Sequence, residues 1–320
     1  MKLRLSIFCL ILVLAFGSSL LLGSRVINPF TMNETGREIL FTIRAPRSVV
    51  ATLMGTALGA SGAVLQGILR NPLADPYILG ISSGASLFAA LGIIMGLTIF
   101  GSFTIPLLAF IGAVITGGIV GIMGWKRGGI RPERLLLAGI GLSFLFSSLL
   151  MLIMSVSTDE GVRRAILWIF GDLSMSDWSL IPYGFVFVTS GVFISIARAK
   201  ALNALILGDE FAHSLGFMPH LERFILFISV GLMTSASVSL GGMIGFIGLL
   251  VPHIVRFFIG ADNRILIPAS SICGGILLCI ADLASRSVAS PMELPAGIVT
   301  ALIGSPYFLY LLRKKDVLSV

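Results

Sequence analysis

Three arginines stand beside long apolar runs, and their guanidinium groups are strong hydrogen-bond donors. Arg44 and Arg47 form the motif Arg-Ala-Pro-Arg just before one run, and Arg286 follows another. A guanidinium is a planar fork of donors that matches carboxylates, so Arg44 and Arg47 predict docking of an acidic protein surface. The alternative is that they extend to lipid headgroups. For Arg286, an ion pair with Asp282 or Glu293 is a further alternative.

A second candidate is the segment from Arg70 to Pro76, which reads Arg-Asn-Pro-Leu-Ala-Asp-Pro and joins two apolar runs. Its two prolines, its asparagine and its aspartate predict a non-helical turn. Small and hydroxyl residues follow at 80–86. Irregular backbone at membrane depth is tolerated where it lines a cavity, so the turn is a candidate cavity wall. A plain connection between two helices is the alternative.

A third candidate is the longest predicted loop, at about 201–222, which contains Gly-Asp-Glu-Phe-Ala-His-Ser-Leu-Gly at 208–216. Asp209 and Glu210 favour the N-terminus of a helix, and Gly216 suits a helix end. We therefore expect a short amphipathic helix outside the bilayer, free to pack against a soluble partner.

The other reactive groups form no recognisable site. The three histidines are scattered without carboxylates at ligand spacing, and the three cysteines lie in apolar runs without a metal or disulfide pattern. No Ser/His or paired-Asp arrangement lies within an apolar run, and there is no Gly-x-x-x-x-Gly-Lys-[Ser/Thr] phosphate loop. We predict no catalytic residue, metal or cofactor, and no ATP hydrolysis by this chain.

The composition of the chain indicates whether the segments that carry these residues lie in water or in lipid. The 320 residues are 56% hydrophobic and 12% charged, with a mean hydropathy of +1.04. An average soluble domain has about 25% charged residues, so this chain must face lipid. The net charge of +7 then indicates oriented membrane loops, and no nucleic-acid partner is expected.

Ten apolar runs fill the chain and, at roughly 20 residues per span, predict an all-α membrane protein with about ten transmembrane helices in one domain, residues 1–320. The first run is longer than the roughly 7–15 residues of a signal-peptide core and is expected to remain as a span. Pro252 should shorten or kink its segment. The spacing Gly-x-x-x-Gly at 55–59 and 117–121 predicts close helix contacts. The runs lie at 3–22, 48–69, 78–97, 103–123, 135–156, 180–197, 224–240, 244–259, 265–283 and 298–312.

The basic residues predict the orientation of these helices. Placing the N-terminus in the cytoplasm and alternating sides puts 15 of the 22 Lys and Arg residues on the cytoplasmic side. Both termini are therefore predicted to be cytoplasmic.

Three blocks, in the same order and covering much of the chain, resemble the permease subunits of ABC importers for iron–siderophore, heme and cobalamin. The first is 44–86, RAPRSVVATLMGTALGASGAVLQGILRNPLADPYILGISSGAS. The second is 245–256, GFIGLLVPHIVR, and the third runs from Ala281-Asp282 through Glu-Leu-Pro-Ala-Gly-Ile at 293–298. The stretch Glu210-Phe-Ala-x-x-x-Gly216 is also similar to the Glu-Ala-Ala-x-x-x-Gly pattern of ABC permeases, with Phe211 in place of the first alanine.

The resemblance implies a type II ABC importer subunit in the inner (plasma) membrane. Its partners would be a second permease copy as a homodimer or a related chain, two ATP-hydrolysing subunits and a substrate-binding protein. It assigns the outer arginines Arg44, Arg47 and Arg286 to binding-protein docking.

The resemblance also assigns roles at the cytoplasmic side. Asn71 and Leu73 would form the cytoplasmic gate, and Glu210, Ala212 and Gly216 would couple to the ATPase. A second gate element of the family carries small hydroxyl residues, whereas this chain has Pro132-Glu133 there.

The cargo stays open at the level of sequence. An iron–siderophore is the default, and heme, cobalamin and molybdate are alternatives. A different class, an ion-driven secondary transporter, needs ionisable groups in the middle of the bilayer, and only Asp282 and His253 are candidates.

Overall fold

The computed structural model describes residues 2–23, 27–28, 33–126, 129–288, 290 and 292–313. Arg25, Arg127, Lys314 and Lys315, which enter the orientation count, lie outside these residues. The helices in chain order are α1 Lys2–Leu21, α2 Glu34–Glu38, α3 Ala45–Leu69, α4 Ile81–Ile94, α5 Thr104–Gly124, α6 Pro132–Ser155, α7 Asp159–Ile169, α8 Leu180–Ala197, α9 Ala199–Leu207, α10 Asp209–Ser214, α11 Pro219–Gly241, α12 Ile247–Ile259, α13 Asn263–Ser287 and α14 Ala296–Arg313. A π-helical turn, Ile39–Arg44, joins α2 to α3, and 3₁₀ turns lie at Pro76–Leu79 and Gly101–Phe103.

The fold is helical, as the sequence predicts, and each of the ten apolar runs coincides with one helix. Seven helical segments of the described chain are long and apolar enough to cross a membrane. The other three apolar runs form shorter helices, α4, α12 and α14. The count of ten spans and the orientation of the termini stay predictions. The strands of the described chain are β1, Trp125–Lys126, and β2, Gly129–Ile130, which pair as a short antiparallel hairpin between α5 and α6.

Helix α3 lies at the centre of the bundle. It packs most extensively against α13 and also contacts α11, α12 and α8. Most of its residues are buried, which explains why its sequence is apolar or small on every face. By contrast, α1 and α6 keep most of their apolar side chains exposed, as expected of helices that face lipid or a partner subunit.

Glycine sets the distance between α3 and α13. A Cβ atom added at Gly55 would lie 2.2 Å from the carbonyl oxygen of Gly274, and one at Gly59 would lie 2.1 Å from that of Ser270. A Cβ atom at Gly274 would in turn lie 2.0 Å from the carbonyl oxygen of Gly55. The two backbones therefore touch directly, and the 55–59 motif is a packing motif. The 117–121 motif is looser, because a Cβ atom at Gly117 meets only ordinary contacts.

Two breaks interrupt the helices within the bundle. After α3, Arg70 adopts a left-handed conformation with φ +48°, and the chain turns through 71–75 into the 3₁₀ turn. After α11, the chain runs without helix through 242–246 until α12 begins. Phe246 at this second break also has a positive φ, +69°. The segment that contains Pro252 is short, 13 residues, as predicted.

We expect Gly59→Ala to destabilise the bundle by about 1–3 kcal/mol, because the added methyl group must separate α3 from α13. Gly118→Ala on α5 is the matched control, since its Cβ atom has nothing within 4 Å. The control should be neutral or slightly stabilising, because alanine favours a helix by up to about 1 kcal/mol over glycine. Thermal unfolding of the purified chain in detergent measures both. Equal melting temperatures for the two variants would contradict the close contact.

Candidate functional site

Charged residues meet where α3 begins and α13 ends, in an arginine cluster that comprises Arg44, Arg47, Arg286, Asp282 and Glu293. Arg47 is 3% exposed; its Nε donates to Asp282 Oδ1 at 2.7 Å and its Nη1 to Glu293 Oε2 at 2.6 Å. Asp282 is fully buried, and its other oxygen lies 3.2 Å from Arg286 Nε. Arg47, Asp282 and Arg286 thus each have an opposite charge beside them, and loss of one partner leaves an uncompensated charge at a cost of about 3–5 kcal/mol.

The same cluster fastens α1 to the centre of the bundle. Arg286 Nη2 donates to the hydroxyl and the carbonyl oxygen of Ser19, at 2.8 and 3.0 Å. Ser19 Oγ is also hydrogen-bonded to Ser48 Oγ at 2.8 Å. Arg44 Nη1 donates to the carbonyl oxygens of Leu20 and Leu21 at the end of α1, which a helix end leaves without intrahelical partners.

The ion pair of Arg286 with Asp282, one of the alternatives open from sequence, is therefore present, and Arg47 shares it. All three predicted docking arginines are buried. The outward part of the cluster is the Glu293 side chain, 46% exposed. Docking through these arginines stays a prediction, and it requires Glu293 to give way.

A second charged group lies at the other end of α3, about 37 Å away for a 25-residue helix. This Asp209 clamp consists of Asp209, Arg70 and Arg223. Arg70 Nη2 donates to Asp209 Oδ1 at 2.8 Å, and Arg223 donates to both carboxylate oxygens, to Oδ2 at 2.7 Å. The hydrogen bonds from Arg223 hold the pKa of the Asp209 carboxyl below its ordinary value, with the charge of Arg70 adding to the effect.

The predicted gate residues lie in the turn that follows Arg70. Asn71 Oδ1 accepts from the backbone N–H of Leu73 at 2.9 Å, which closes the turn, and both side chains are partly exposed. Asp75 Oδ1 accepts from the N–H of Tyr77 at 2.9 Å and caps the 3₁₀ turn. The predicted non-helical turn is confirmed, and its hydrogen bonds explain it.

The predicted coupling residues lie on α10 and just beyond it. The short helix expected there is present, and Gly216, with φ +84°, ends it as predicted. The preceding residues, expected to be loop, instead form α9. Glu210 and Gly216 are exposed, whereas Ala212 is buried against the bundle.

Large apolar side chains near α10 are exposed as well. Phe211, Leu215 and Met218 are 46%, 57% and 67% exposed. We call these three residues the coupling patch. A cluster of exposed apolar residues beside charged ones is typical of a protein–protein contact.

The two helix breaks meet at an apolar cleft. The backbone N–H of Ile244, in the second break, donates to Tyr77 Oη at 3.2 Å, just beyond the first break. The cleft measures about 600 Å³, within the roughly 300–1,000 Å³ of small-molecule sites. Its walls include Tyr77, Ser82, Met243, Phe170 and the α14 residues 298–306.

Sequence reasoning missed Gln66 and Tyr77, which brace these breaks. Gln66 is buried in α3; its Nε2 donates to the carbonyl oxygen of Leu249 at 3.2 Å, and its Oε1 accepts from Arg256 Nη2 at 3.1 Å. A lone amide in an apolar run was an available signal for Gln66. Tyr77 and Ile244 are 167 residues apart in sequence, and no local pattern links them.

The described residues hold no group of three or more His, Cys, Asp or Glu side chains that is placed to bind a metal ion.

Comparison with known proteins places this geometry in a family. The model of the FecCD transport family matches residues 5–314. The hemin transport system permease protein HmuU of Yersinia pestis is 37% identical, with 96% of this chain and 93% of that protein covered. The cobalamin import system permease protein BtuC of Halobacterium salinarum is 39% identical, over 90% of this chain and 77% of that protein. The iron(3+)-hydroxamate import system permease protein FhuG of Bacillus subtilis is 34% identical, over 96% of this chain and 95% of that protein.

Solved structures agree with the sequence relatives. A transporter assigned to the metal-chelate type of ABC transporters, in an inward-facing conformation, superimposes with a TM-score of 0.89 at 30% identity, covering 98% of this chain and all of that one. The helical arrangement of this chain is thus that of a known transporter class. The chain therefore belongs to the FecCD transport family and is an ABC transporter permease.

Proposed function

We propose that this chain is the membrane-spanning subunit of an ATP-driven importer in the inner (plasma) membrane, and that it carries a metal chelate into the cytoplasm. The observation that supports this most is the meeting of the two helix breaks at the cleft, through Tyr77 and Ile244. Unwound backbone within a membrane bundle supplies polar groups to a passing ligand and occurs where a path is lined.

An iron–siderophore is the proposed cargo, with heme, cobalamin and molybdate as alternatives. The similar proteins are named for hemin, cobalamin and ferric hydroxamates, which are bulky and differ in shape. The cleft walls are mostly apolar and carry few polar groups, such as Tyr77 and Ser82. Such walls allow passage of different chelates and leave selection to a separate binding protein.

An ion-driven secondary transporter is the less favoured function. It needs an ionisable group that can exchange a proton or ion. Asp282, one of two candidates, is held by Arg47 and Arg286. The other, His253, is half-buried in α12, three residues before Arg256, and has no acidic residue beside it in that helix.

We propose a second permease copy as partner, because the cleft is open along one side. Its wall α14 has exposed residues such as Leu302 and Leu309, and α6 exposes Leu137 and Phe144. A second copy against these helices would close the path between two clefts.

We propose that the coupling patch binds an ATPase subunit, one per permease copy. The chain has no phosphate loop of its own, so energy must come from a partner. Glu210, Ala212 and Gly216 fit this role: Ala212 packs α10 on the bundle, while Glu210 and the patch face outward.

We propose that a substrate-binding protein docks at the arginine cluster by carboxylate exchange. A carboxylate of the binding protein would replace Glu293 on Arg47, since Glu293 is the exposed member of the pair. Arg44 and Arg286 would keep the site positive and hold α1 in place.

Replacing Phe211 and Leu215 with serine should weaken ATPase copurification at least about fivefold, because the patch loses buried apolar area in the complex. The fold should persist, since both side chains are exposed.

Gly216→Trp should uncouple uptake without unfolding the bundle, because its φ of +84° strains any other residue while the surrounding space is open. The control is Met175→Ser, an exposed apolar residue elsewhere. Normal copurification and uptake in all variants would contradict the assignment.

The turn should gate the path between two copies. Leu73→Cys, in a background with Cys9, which is exposed, changed to serine, should crosslink to its counterpart in at least one nucleotide state of the assembled complex. Met218→Cys on the coupling patch is the control that should not crosslink between permeases. Absence of a Leu73→Cys crosslink in every nucleotide state would argue against a gate at the twofold axis.

Glu293→Gln should strengthen binding-protein docking about two- to fivefold and make it more dependent on salt, because the internal competitor for Arg47 is removed and the site becomes more positive. Arg47→Glu should weaken docking, more at low salt than at high. Glu34→Gln, an exposed change in α2, is the control. Docking affinity is measured with reconstituted permease and binding protein. If Glu293→Gln leaves affinity and salt dependence unchanged, the cluster is structural only.

A further inference from the structure

One arginine holds the coupling region and the gate turn together. Arg70 Nε and Nη2 both donate to the carbonyl oxygen of Leu205 near the end of α9, at 2.9 and 2.6 Å. Its Nη2 also donates to Asp209, the first residue of α10. The next residue in the chain is Asn71, which begins the turn. A displacement of α9 or α10 therefore pulls directly on the residue before the turn.

The backbone of Arg70 indicates that its side chain is needed at this position. Arg70 caps α3 in the left-handed conformation, φ +48°, where glycine or asparagine is favoured. The left-handed conformation costs a non-glycine residue about 1 kcal/mol or more of conformational energy. Glycine would relieve this strain and would have no guanidinium to reach Leu205 and Asp209.

The second arginine of the clamp has a different task. Arg223 is buried in α11 and binds both oxygens of Asp209. It anchors α10 to the bundle and keeps the Asp209 carboxyl ionised well below neutral pH, so the clamp is no pH switch in the cell. Loss of Arg70 alone leaves this anchor in place.

From Arg70 the contacts continue to the cleft. The N–H of Asn71 donates to the carbonyl oxygen of Gln66 at 3.0 Å. Gln66 Nε2 reaches the carbonyl oxygens of Ala74 at 3.4 Å and Leu249 at 3.2 Å, so it joins the turn to α12. Tyr77, two residues after the turn, contacts Ile244 at the cleft.

We infer that Arg70 is a positioning residue that transmits movement of α9 and α10 to the gate turn 71–75. The inference rests on the proposed function, in which an ATPase moves α10. Arg223 holds α10 on the bundle, and Arg70 converts its movement into a change of the turn.

The test uses the permease assembled with its ATPase in lipid nanodiscs, with ATP and vanadate as the probe. Amide hydrogen exchange of residues 71 and 73–75 reports the turn, and copurification reports assembly. In Arg70→Gly the backbone is relieved and the guanidinium is lost. The ATPase should remain bound, while the change in exchange that nucleotide causes in the wild type should fall by about fivefold or more.

Two further variants separate transmission from a structural role. Asp209→Asn weakens only one of the two contacts of Arg70 and leaves the one with Leu205, so it should reduce the same response less than Arg70→Gly does. Arg264→Gln, which removes the exposed pair with Asp262 at the same end of the bundle, should leave the response intact.

A wild-type response retained in Arg70→Gly overturns the inference, and so does loss of ATPase binding in that variant, since Arg70 would then be only an anchor. A turn that does not respond in the assembled wild type also overturns it. A wild-type chain that binds no ATPase refutes instead the proposed function.

Discussion

The contact between the backbones of α3 and α13 determines the rest of this structure. At Gly55, Gly59 and Gly274 no side chain separates the two helices. In lipid no hydrophobic force drives helices together, so close packing of small residues must supply the attraction. This contact aligns the start of α3 with the end of α13 and brings Arg47 to Asp282, which are 235 residues apart in sequence.

Helix α3 is one uninterrupted helix with the arginine cluster at one end and Arg70 at the other. It therefore connects these two charged regions rigidly. The regions differ in construction. In the arginine cluster every charged residue except Glu293 is buried and fixed by several helices, whereas the side chains of Arg70 and Asp209 are each more than 40% exposed. Buried pairs favour a fixed arrangement, and exposed pairs at a loop tolerate movement. The end that would meet the ATPase is thus the one built for displacement.

The sequence predicts most of the helices and turns but not which of them contact each other. Hydropathy located the ten apolar helices among the fourteen that the structure describes, because a helix that faces lipid or a membrane-protein core is apolar over most of its length. Local chemistry located the turn at Asn71 and the end of α10 at Gly216, because Pro, Asn and Gly act through their own backbone. The burial of Arg44, Arg47 and Arg286 could not be predicted, since it depends on α1 and α13 packing around them. The link of Arg70 to Leu205 was hidden for the same reason, and α9 formed where a loop was expected because its apolar residues Leu202 and Leu205 face the bundle.

The separation of Arg47 from Asp282 along the chain has a consequence for biogenesis. A chain made at about 5–20 residues per second inserts α3 roughly 10–50 s before α13 is complete. During that interval Arg47 lies at the membrane boundary before Asp282 and Glu293 have been made, near lipid headgroups, where an arginine is tolerated. Insertion of α13 supplies Asp282, and only then can the charged contacts that join α1, α3 and α13 form. The arginine cluster is therefore complete only after α13 has been made, and a chain that ends before α13 keeps Arg47 without the carboxylates that bind it in the full fold.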